Sequence, residues 1–423
     1  MDSFTELHLV GPLAKALEES GYTKPTPIQE QAIPLILKRQ DIVGIAQTGT
    51  GKTAAFVIPI LQYLELHKKP AVRGTPRVII LVPTRELATQ VGESVKTYGK
   101  HLSLTYTTIF GGVPQGPQEH ALAKGIDVII ATPGRLLDLM RQRFVHANAV
   151  EVLVLDEADR MLEMGFAEDI KLIAKEVPEK RQTLLFSATM SPRIIALTHN
   201  YLTTPTRIAI TPEATTVGKV KQSVLYVDKE DKIKLLLRHL INPDVKRALV
   251  FVRMKHTADK VVGKLIAEGM VSDALHSDRT QAMRTQILEN FRAGKTRILV
   301  ATDIAARGLD VDGITHVFNF DLPKDPETYV HRIGRTARAG ANGHAISFCS
   351  GDDRANLTAI EKLIAKTLTV KEHKFHSRYA QDGGVMKSTE KKTAVNARTG
   401  KGGGRSKLTS VHKARQAKGW RQE

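Results

Sequence analysis

The 423-residue chain carries 62 Lys and Arg against 44 Asp and Glu, a formal net charge of +18, with 42% apolar residues. That apolar share builds ordinary globular cores, the length fits two domains plus extra segments, and the basic balance points to a polyanionic partner. Aliphatic runs such as Val78 to Val82 are too short to cross a bilayer, MDSFTELHLV lacks a basic stretch ahead of a long apolar one, and the lone Cys349 excludes an internal disulfide or a thiolate metal cluster; a soluble, cytoplasmic monomer is expected, with Cys349 as a small buried residue.

The first strand pattern, DIVGIA, runs into AQTGTGKT (Ala46 to Thr53) and then into the helical pattern AAFVIPILQYL. Strand, glycine-rich turn and helix in that order make a phosphate-binding loop. Glycines let backbone N–H groups wrap phosphate oxygens, Lys52 reaches the outer phosphates, and the Thr53 hydroxyl can ligate Mg²⁺. Thr48, Gly49, Thr50, Gly51, Lys52 and Thr53 are the expected nucleotide-binding residues, although Ala46 stands where the general pattern begins with Gly.

Aliphatic strands follow at RVIILV, IDVIIA, EVLVLD and QTLLFS, and later at RALVFV, TRILVA and HVFNF, with helical patterns between them. Continuous aliphatic strands alternating with helices predict parallel sheets covered on both faces. The series occurs twice, separated by TPTRIAITPEATTVGKVKQ (Thr204 to Gln222), whose Thr, Pro and Gly read as a connection. The expected fold is α/β: one domain over residues 1–207, a linker at 208–217 and a second domain over 218–370. Ligands in such sheets sit beyond the carboxyl ends of the strands, so two facing domains form a cleft.

LVLDEADRM sets Asp156, Glu157 and Asp159 at the end of one of those strands. Carboxylates beside a buried strand need a cation. Opposite a phosphate loop, Asp156 is placed to hold Mg²⁺, commonly through water, and Glu157 to orient or deprotonate the attacking water. Late in the second domain HRIGRTARAG (His331 to Gly340) carries Arg332, Arg335 and Arg338 at three-residue spacing, which on a helix puts them near one face. Arginine fingers supplied across the cleft fit that pattern. From Lys371 to Glu423, 14 Lys and Arg accompany 4 Asp and Glu with almost no aliphatic periodicity, which predicts a disordered basic tail that touches nucleic acid.

With these groups in place the chain resembles the DEAD-box RNA helicases, most closely the bacterial RhlE type, over residues 1 to about 370. The resemblance extends to GYTKPTPIQ (Gly21 to Gln29), PTRELA (Pro83 to Ala88), Gly111 with Gly112, TPGR (Thr132 to Arg135), SAT (Ser187 to Thr189), LVFVRMK, Gln281 with Arg284, and ATDIAARGLD (Ala301 to Asp310). It implies two tandem RecA-like domains that ATP, Mg²⁺ and single-stranded RNA draw together. Gln29 would read the adenine edge, Phe4 would stack on the purine and Asp310 would approach the ribose. The catalytic set becomes Lys52, Asp156, Glu157, Arg335 and Arg338. Thr84, Arg85, Gly111, Gly112, Thr132, Arg135, Gln281, Arg284 and Thr302 would hold an RNA backbone without reading sequence. Asp159, Ser187, Thr189 and His331 would couple the nucleotide to closure. The implied activity is RNA-stimulated ATP hydrolysis that unwinds short duplexes or remodels RNA–protein complexes, in ribosome assembly or RNA decay and with protein partners from those processes. An ATP-gated RNA clamp and a DNA translocase of the same architecture are the competing readings.

Three positions depart from the family's spelling. Tyr22 stands where Phe is common and is expected to change little. Ser277 replaces a Gly in LHSD, and Ala337 replaces a Gly beside Arg338. If Ala337 needs a positive φ, it costs about 1 kcal/mol or more and disturbs the aim of Arg338.

Overall fold

The computed structural model describes residues 3–47, 49–210, 220–306, 311–337 and 343–382. Each half of the chain forms a seven-stranded, all-parallel sheet. The first contains β1 (Ile42–Ile45), β2 (Val78–Leu81), β3 (Tyr106–Ile109), β4 (Val128–Ala131), β5 (Val152–Leu155), β6 (Gln182–Ser187) and β7 (Thr206–Ala209) in the order β3-β4-β2-β5-β6-β1-β7. The second contains β8 (Val220–Tyr226), β9 (Ala248–Val252), β10 (Ser272–Leu275), β11 (Ile298–Thr302), β12 (His316–Asn319), β13 (Gly343–Cys349) and β14 (Thr369–Val370) in the order β10-β11-β9-β12-β13-β8-β14. The two orders are one permutation repeated, which is the duplication foreseen from the strand series.

The strands read as unbroken aliphatic runs because both of their faces are buried. Val78 and Ile80 share one core with Phe56, Ile60 and Leu64 of the helix Lys52–Leu66, while Ile79 and Leu81 share another with Leu136, Leu153 and Ile170. Each such side chain stabilises the fold by roughly 1.5–3 kcal/mol. Cys349 is fully buried in the second half, where burial first, and Asp353 after it, push its thiol up to about 12. Because all strands in a sheet point the same way, β1, β2, β4, β5 and β6 deliver residues 46–53, 83–88, 132–135, 156–159 and 187–189 to one end of the first sheet.

Two boundaries differ from the sequence expectation. β7 pairs in register with β1 from Ile42↔Thr206 to Ile45↔Ala209, so the first sheet runs past residue 207. The tail assignment is corrected over residues 371–382, which pack on the second sheet. Lys371 N donates to Val224 O at 3.1 Å, Ser377 N to Tyr226 O at 3.0 Å and Ser377 Oγ to Asp228 Oδ1 at 2.7 Å, and Ala380 is fully buried. Backbone pairing and one small buried side chain hold this stretch, so charge composition hid it. The remaining expected tail, residues 383–423, lies outside the described residues, as does most of the expected linker, residues 211–217. No helix among the described residues is long and apolar enough to cross a membrane.

On the neighbouring strands β12 and β13, His316 and His344 stack in register with ring centroids 4.8 Å apart and planes 8° from parallel. Burial, reinforced by His344, pushes the His316 imidazole down to about 4 from its ordinary 6.5. Above about pH 6.5 both states are neutral and the full stability is present; between about 6.5 and 4 the unfolded imidazole takes a proton that the folded one refuses. The second half should therefore lose roughly 2–3 kcal/mol at the lower end of that window. Thermal melts across this range should show a slope that His316→Gln reduces; an identical slope in the variant would contradict the assignment.

Candidate nucleotide site and interdomain cleft

The loop after β1 turns through Gly49 (φ 87°) and Gly51 (φ 90°), a left-handed region that strains any residue with a Cβ. At Gly51 a Cβ would also strike Gln29 Nε2. The Gln29 amide is clamped against the loop: Nε2 donates to Gly51 O at 3.1 Å and Oε1 accepts from Thr26 N at 2.9 Å, while Thr26 Oγ1 donates to Thr50 O at 2.8 Å. One amide hydrogen and one lone pair of Gln29 remain beyond these bonds. Buried Lys52, at the start of its helix, donates from Nζ to Ala46 O at 2.6 Å, a bond that an arriving phosphate must replace. Thr48 lies outside the described residues.

Phe4 packs edge-on against Tyr22, with centroids 5.7 Å apart, and is 7% exposed. Most of its ring therefore faces protein. Tyr22 does more than the Phe it replaces. Its hydroxyl lies 2.5 Å from that of Tyr98, at the far end of the helix Arg85–Tyr98, and ties the two segments together.

Asp156 Oδ1 accepts from Glu157 N at 2.9 Å. Burial pushes the Asp156 carboxyl up to about 7, with Lys52 pulling it down and Glu157 and Asp159 adding to the rise. A buried carboxyl in that condition is short of positive charge, which a divalent cation supplies. With the Thr53 hydroxyl at the loop's end it fits Mg²⁺, an ion commonly held by one or two protein oxygens plus phosphates and water. Among the described residues no group of three His, Cys, Asp or Glu side chains could hold a metal by itself.

Glu157 takes the left-handed conformation (φ 51°) between β5 and the short helix Ala158–Glu163. Its Oε2 accepts from Arg160 Nη1 at 3.0 Å, both side chains being buried. Burial raises its carboxyl, but Arg160, Lys52 and Arg335 outweigh that and hold it below its ordinary value, so it is ionised at neutral pH. Arg160 was not among the sequence candidates. The available signal was its spacing, three residues after Glu157 on a helix. Asp159 Oδ2 accepts from Ala188 N at 3.0 Å and Thr189 N at 3.1 Å, and Ser187 Oγ accepts from Thr189 N at 3.3 Å. The third carboxylate thus holds the turn after β6, where Thr189 Oγ1 is buried without a hydrogen-bond partner.

From the second sheet comes the helix Pro326–Ile333, capped by Asp325, which accepts from Thr328 N at 3.0 Å. The helix ends before Arg335, which corrects the expectation of three arginines on one helical face. Arg332 is consumed inside its own domain. Its Nε and Nη2 donate to the two Asp303 oxygens at 2.6 and 2.7 Å, and its Nη1 to Asn319 Oδ1 at 3.1 Å and Asp321 O at 2.6 Å. Arg335, on the turn, is buried and acts electrostatically on Glu157 across the seam. Burial, then Arg160 and Arg335, push His331 down to about 3, so its imidazole is neutral here. Arg338 and Asp310 lie outside the described residues.

Ala337 has φ 57°, so the costly branch of the sequence expectation is the one adopted. Ala337→Gly should raise stability by about 1 kcal/mol. A melt of that variant checks this, and a lower midpoint would contradict it. Ser277 has no positive φ; it is exposed, with its hydroxyl 3.4 Å from Asp278 Oδ1.

A cavity of about 350 Å³ lies on the seam beside these groups, walled by Thr84, Arg85, Gly111, Thr132 and Arg135 from the first half and by Arg284 from the second. Arg135 Nη1 is buried there without a hydrogen-bond partner. Burial lowers the Arg85 guanidinium's pKa, Glu86 pulling against it and Arg284 and Arg135 adding to it, so positive charge is crowded in the groove. Thr84 and Thr132 cap the helices Arg85–Tyr98 and Pro133–Arg141. Gly112 (φ 73°) lies so close to the Arg85 guanidinium that a Cβ would collide with it. Two predicted groups instead bridge the halves. Arg284 Nη2 pairs with Glu86 Oε1 at 2.7 Å, and Arg85 Nη1 donates to Gln281 Oε1 at 3.3 Å. Glu86 was missed, because a carboxylate on a helix reads as solvated until its partner is seen. Thr302 ends β11 and is half-buried.

Two protein families match the chain: DEAD/DEAH box helicase over residues 26–197 and helicase conserved C-terminal domain over residues 231–340. The DEAD-box ATP-dependent RNA helicase CshA of Bacillus cereus is 44% identical over 362 residues, covering 86% of this chain and 68% of that protein. The ATP-dependent RNA helicase RhlB of Shewanella denitrificans is 40% identical over 371 residues, covering 87% of this chain and 86% of that protein. Among solved structures, Dbp5 of S. cerevisiae bound to RNA and ADP BeF3 has a TM-score of 0.78 at 32% identity, covering 88% of this chain and 96% of that one.

Proposed function

The chain belongs to the DEAD/DEAH box helicase family, and from that premise we propose that it is an ATP-dependent RNA helicase whose site is assembled when its two RecA-like domains close on ATP, Mg²⁺ and single-stranded RNA. The observation that carries the reading is the seam itself, where ionised Glu157 and buried Lys52 of one half meet His331 and Arg335 of the other. Two of the five catalytic groups, Arg335 and Arg338, belong to the second domain, so hydrolysis waits for closure. The crowded arginines and the orphaned Arg135 donor support a phosphate backbone in the adjoining cavity. The solved Dbp5 complex with RNA and ADP BeF3 supports the same ligands.

In this reading Lys52 and Arg335 neutralise the outer phosphates, joined by Arg338. Asp156 and Thr53 hold Mg²⁺, and the metal, when bound, offsets charge on the phosphates. Glu157 orients and deprotonates the attacking water. Gln29 and Phe4 face the base, and Asp310 the ribose. Asp159 transmits the state of the site to the Ser187–Thr189 turn through its two backbone bonds. Gln281, Arg284, Gly111, Gly112 and Thr302 line the RNA path beside Thr84, Arg85, Thr132 and Arg135. The narrower kinship we propose is with the bacterial RhlE type, working in the cytoplasm as a monomer in ribosome assembly or RNA decay.

Strand separation tests the reading: a short RNA duplex should be opened only with ATP, and a long duplex or a DNA duplex poorly. Opening of both nucleic acids at equal rates would favour a DNA translocase. Residues 383–423 carry 11 Lys and Arg against 2 acidic residues, and their deletion should weaken RNA binding and flatten its salt dependence, because fewer counterions are released. Unchanged salt slopes would remove the tail from the RNA path.

A further inference from the structure

Two adjoining hollows of about 640 and 520 Å³ open at the C-terminal end of the helix Pro133–Arg141, and both are lined by Arg143 and His146. We propose that together they form a second binding site for RNA backbone, which takes the strand as it leaves the interdomain cleft; this rests on the RNA reading of that cleft.

The cations around the hollows are unengaged. Arg73, Arg141, Arg143 and Lys175 are exposed, and none of their side chains makes an ion pair or hydrogen bond within the described protein. Two carboxylates share the lining. Glu119 accepts from Gln115 Nε2 at 2.7 Å, and Glu176 is exposed. Nearby surface lysines behave differently: Lys68, Lys69 and Lys171 pair with Glu65, Glu151 and Glu168. A cluster of unpaired positive charge around a hollow suits a chain of phosphates.

The backbone of Arg143 strengthens the case. The helix closes with Phe144 N donating to Leu139 O at 2.9 Å and Arg143 N to Met140 O at 3.0 Å, which sets Arg143 in the left-handed region at φ 63°. Glycine is the residue free of strain at such a helix end. Arg39 occupies the same kind of position at φ 62°, but its guanidinium donates to Gln182 Oε1 and Glu151 O, both at 2.9 Å, and lies 4.2 Å from the Tyr63 ring centre. The Arg143 guanidinium has no such internal contact. A left-handed position occupied by an exposed guanidinium with no ion pair or hydrogen bond in its own chain leaves that group available to a ligand.

Geometry then selects the ligand. The helix begins in the cleft at Thr132 and Arg135 and carries nine residues, so its far end lies about 13 Å away, roughly four stacked nucleotides along a strand. A strand already held in the cleft reaches the hollows without a second encounter, at high effective concentration. Phe144, half-buried in the wall of the larger hollow, offers a ring for a base to stack on. An acidic polypeptide could use the charge but gains nothing from the continuity.

The test uses the full chain with ADP BeF3 and oligouridine strands of graded length, comparing the parent with Arg143→Gly and with the Arg141→Glu, Arg143→Glu double variant. Arg143→Gly relieves the backbone, so its melting midpoint should hold or rise. Its affinity for long strands should fall about fivefold, while strands that only fill the cleft bind as before and, in a parallel assay with ATP in place of ADP BeF3, stimulate hydrolysis as before. The double variant should lose more and flatten the salt slope by about 1.5. Equal losses at every length, or none at any, overturn the proposal. So does competition by polyglutamate with the RNA length dependence intact, which assigns the hollows to an acidic protein. A parent that binds no RNA overturns this proposal and the RNA reading together, whereas normal short-strand binding with no length effect overturns this one alone.

Discussion

Glu157→Gln should leave ATP and RNA binding intact, cut hydrolysis by about 10²–10⁴-fold and accumulate the closed complex. Glu157 is 5% exposed, and its side chain is fixed by its left-handed backbone and by Arg160 Nη1 at 3.0 Å. Burial raises its carboxyl; Arg160, Lys52 and Arg335 outweigh that and keep it ionised and ready to take a proton. Glutamine has the same length and can still accept from Arg160, so the packing survives while the proton acceptor is lost. A long-lived RNA complex with ATP, and no turnover, is the expected phenotype. Normal hydrolysis in this variant would remove Glu157 from the reaction, and loss of RNA binding would make its role structural.

Arg335→Ala and Arg332→Ala should fail in different ways, although the two residues are three apart. Arg335 lies beyond the helix end, buried at the seam and acting on Glu157 from the other domain. Its removal should destabilise the fold less than loss of Arg332 does and lower RNA-stimulated kcat by about 10³-fold, the size expected of an arginine finger. Arg332 has both Asp303 oxygens, Asn319 and Asp321 as partners. Its truncation leaves the half-buried Asp303 carboxylate and the buried Asn319 carbonyl without their donor and should cost about 1.5–3 kcal/mol of stability. Melts and kcat measured side by side decide the matter: equal destabilisation by both variants would contradict the division of roles.

The parts legible in the sequence were those whose physics is local. VIIL, VLVL and QTLLFS announce strands buried on both faces, and AQTGTGKT announces its turn because only glycine takes φ near 90° at Gly51 without strain. The repeat of the strand series foretold two parallel sheets, whose common strand order only the structure shows. What stayed hidden depends on long-range partners. Glu86 and Arg160 look like ordinary helical charges until Arg284, 198 residues away in sequence, and Glu157 are seen beside them. The break after Ile333 was masked by a regular arginine spacing that suits a helix the chain does not continue. Residues 371–382 carry few apolar side chains and are held by backbone bonds to β8, which composition does not register.

The central claim is that RNA, by closing the two domains, completes the hydrolytic site. Steady-state ATP hydrolysis by the full chain, without nucleic acid, with single-stranded RNA and with DNA of the same sequence, tests it most directly. Slow turnover alone and with DNA, and strong stimulation by RNA, is the predicted result; equal rates in all three would contradict the account.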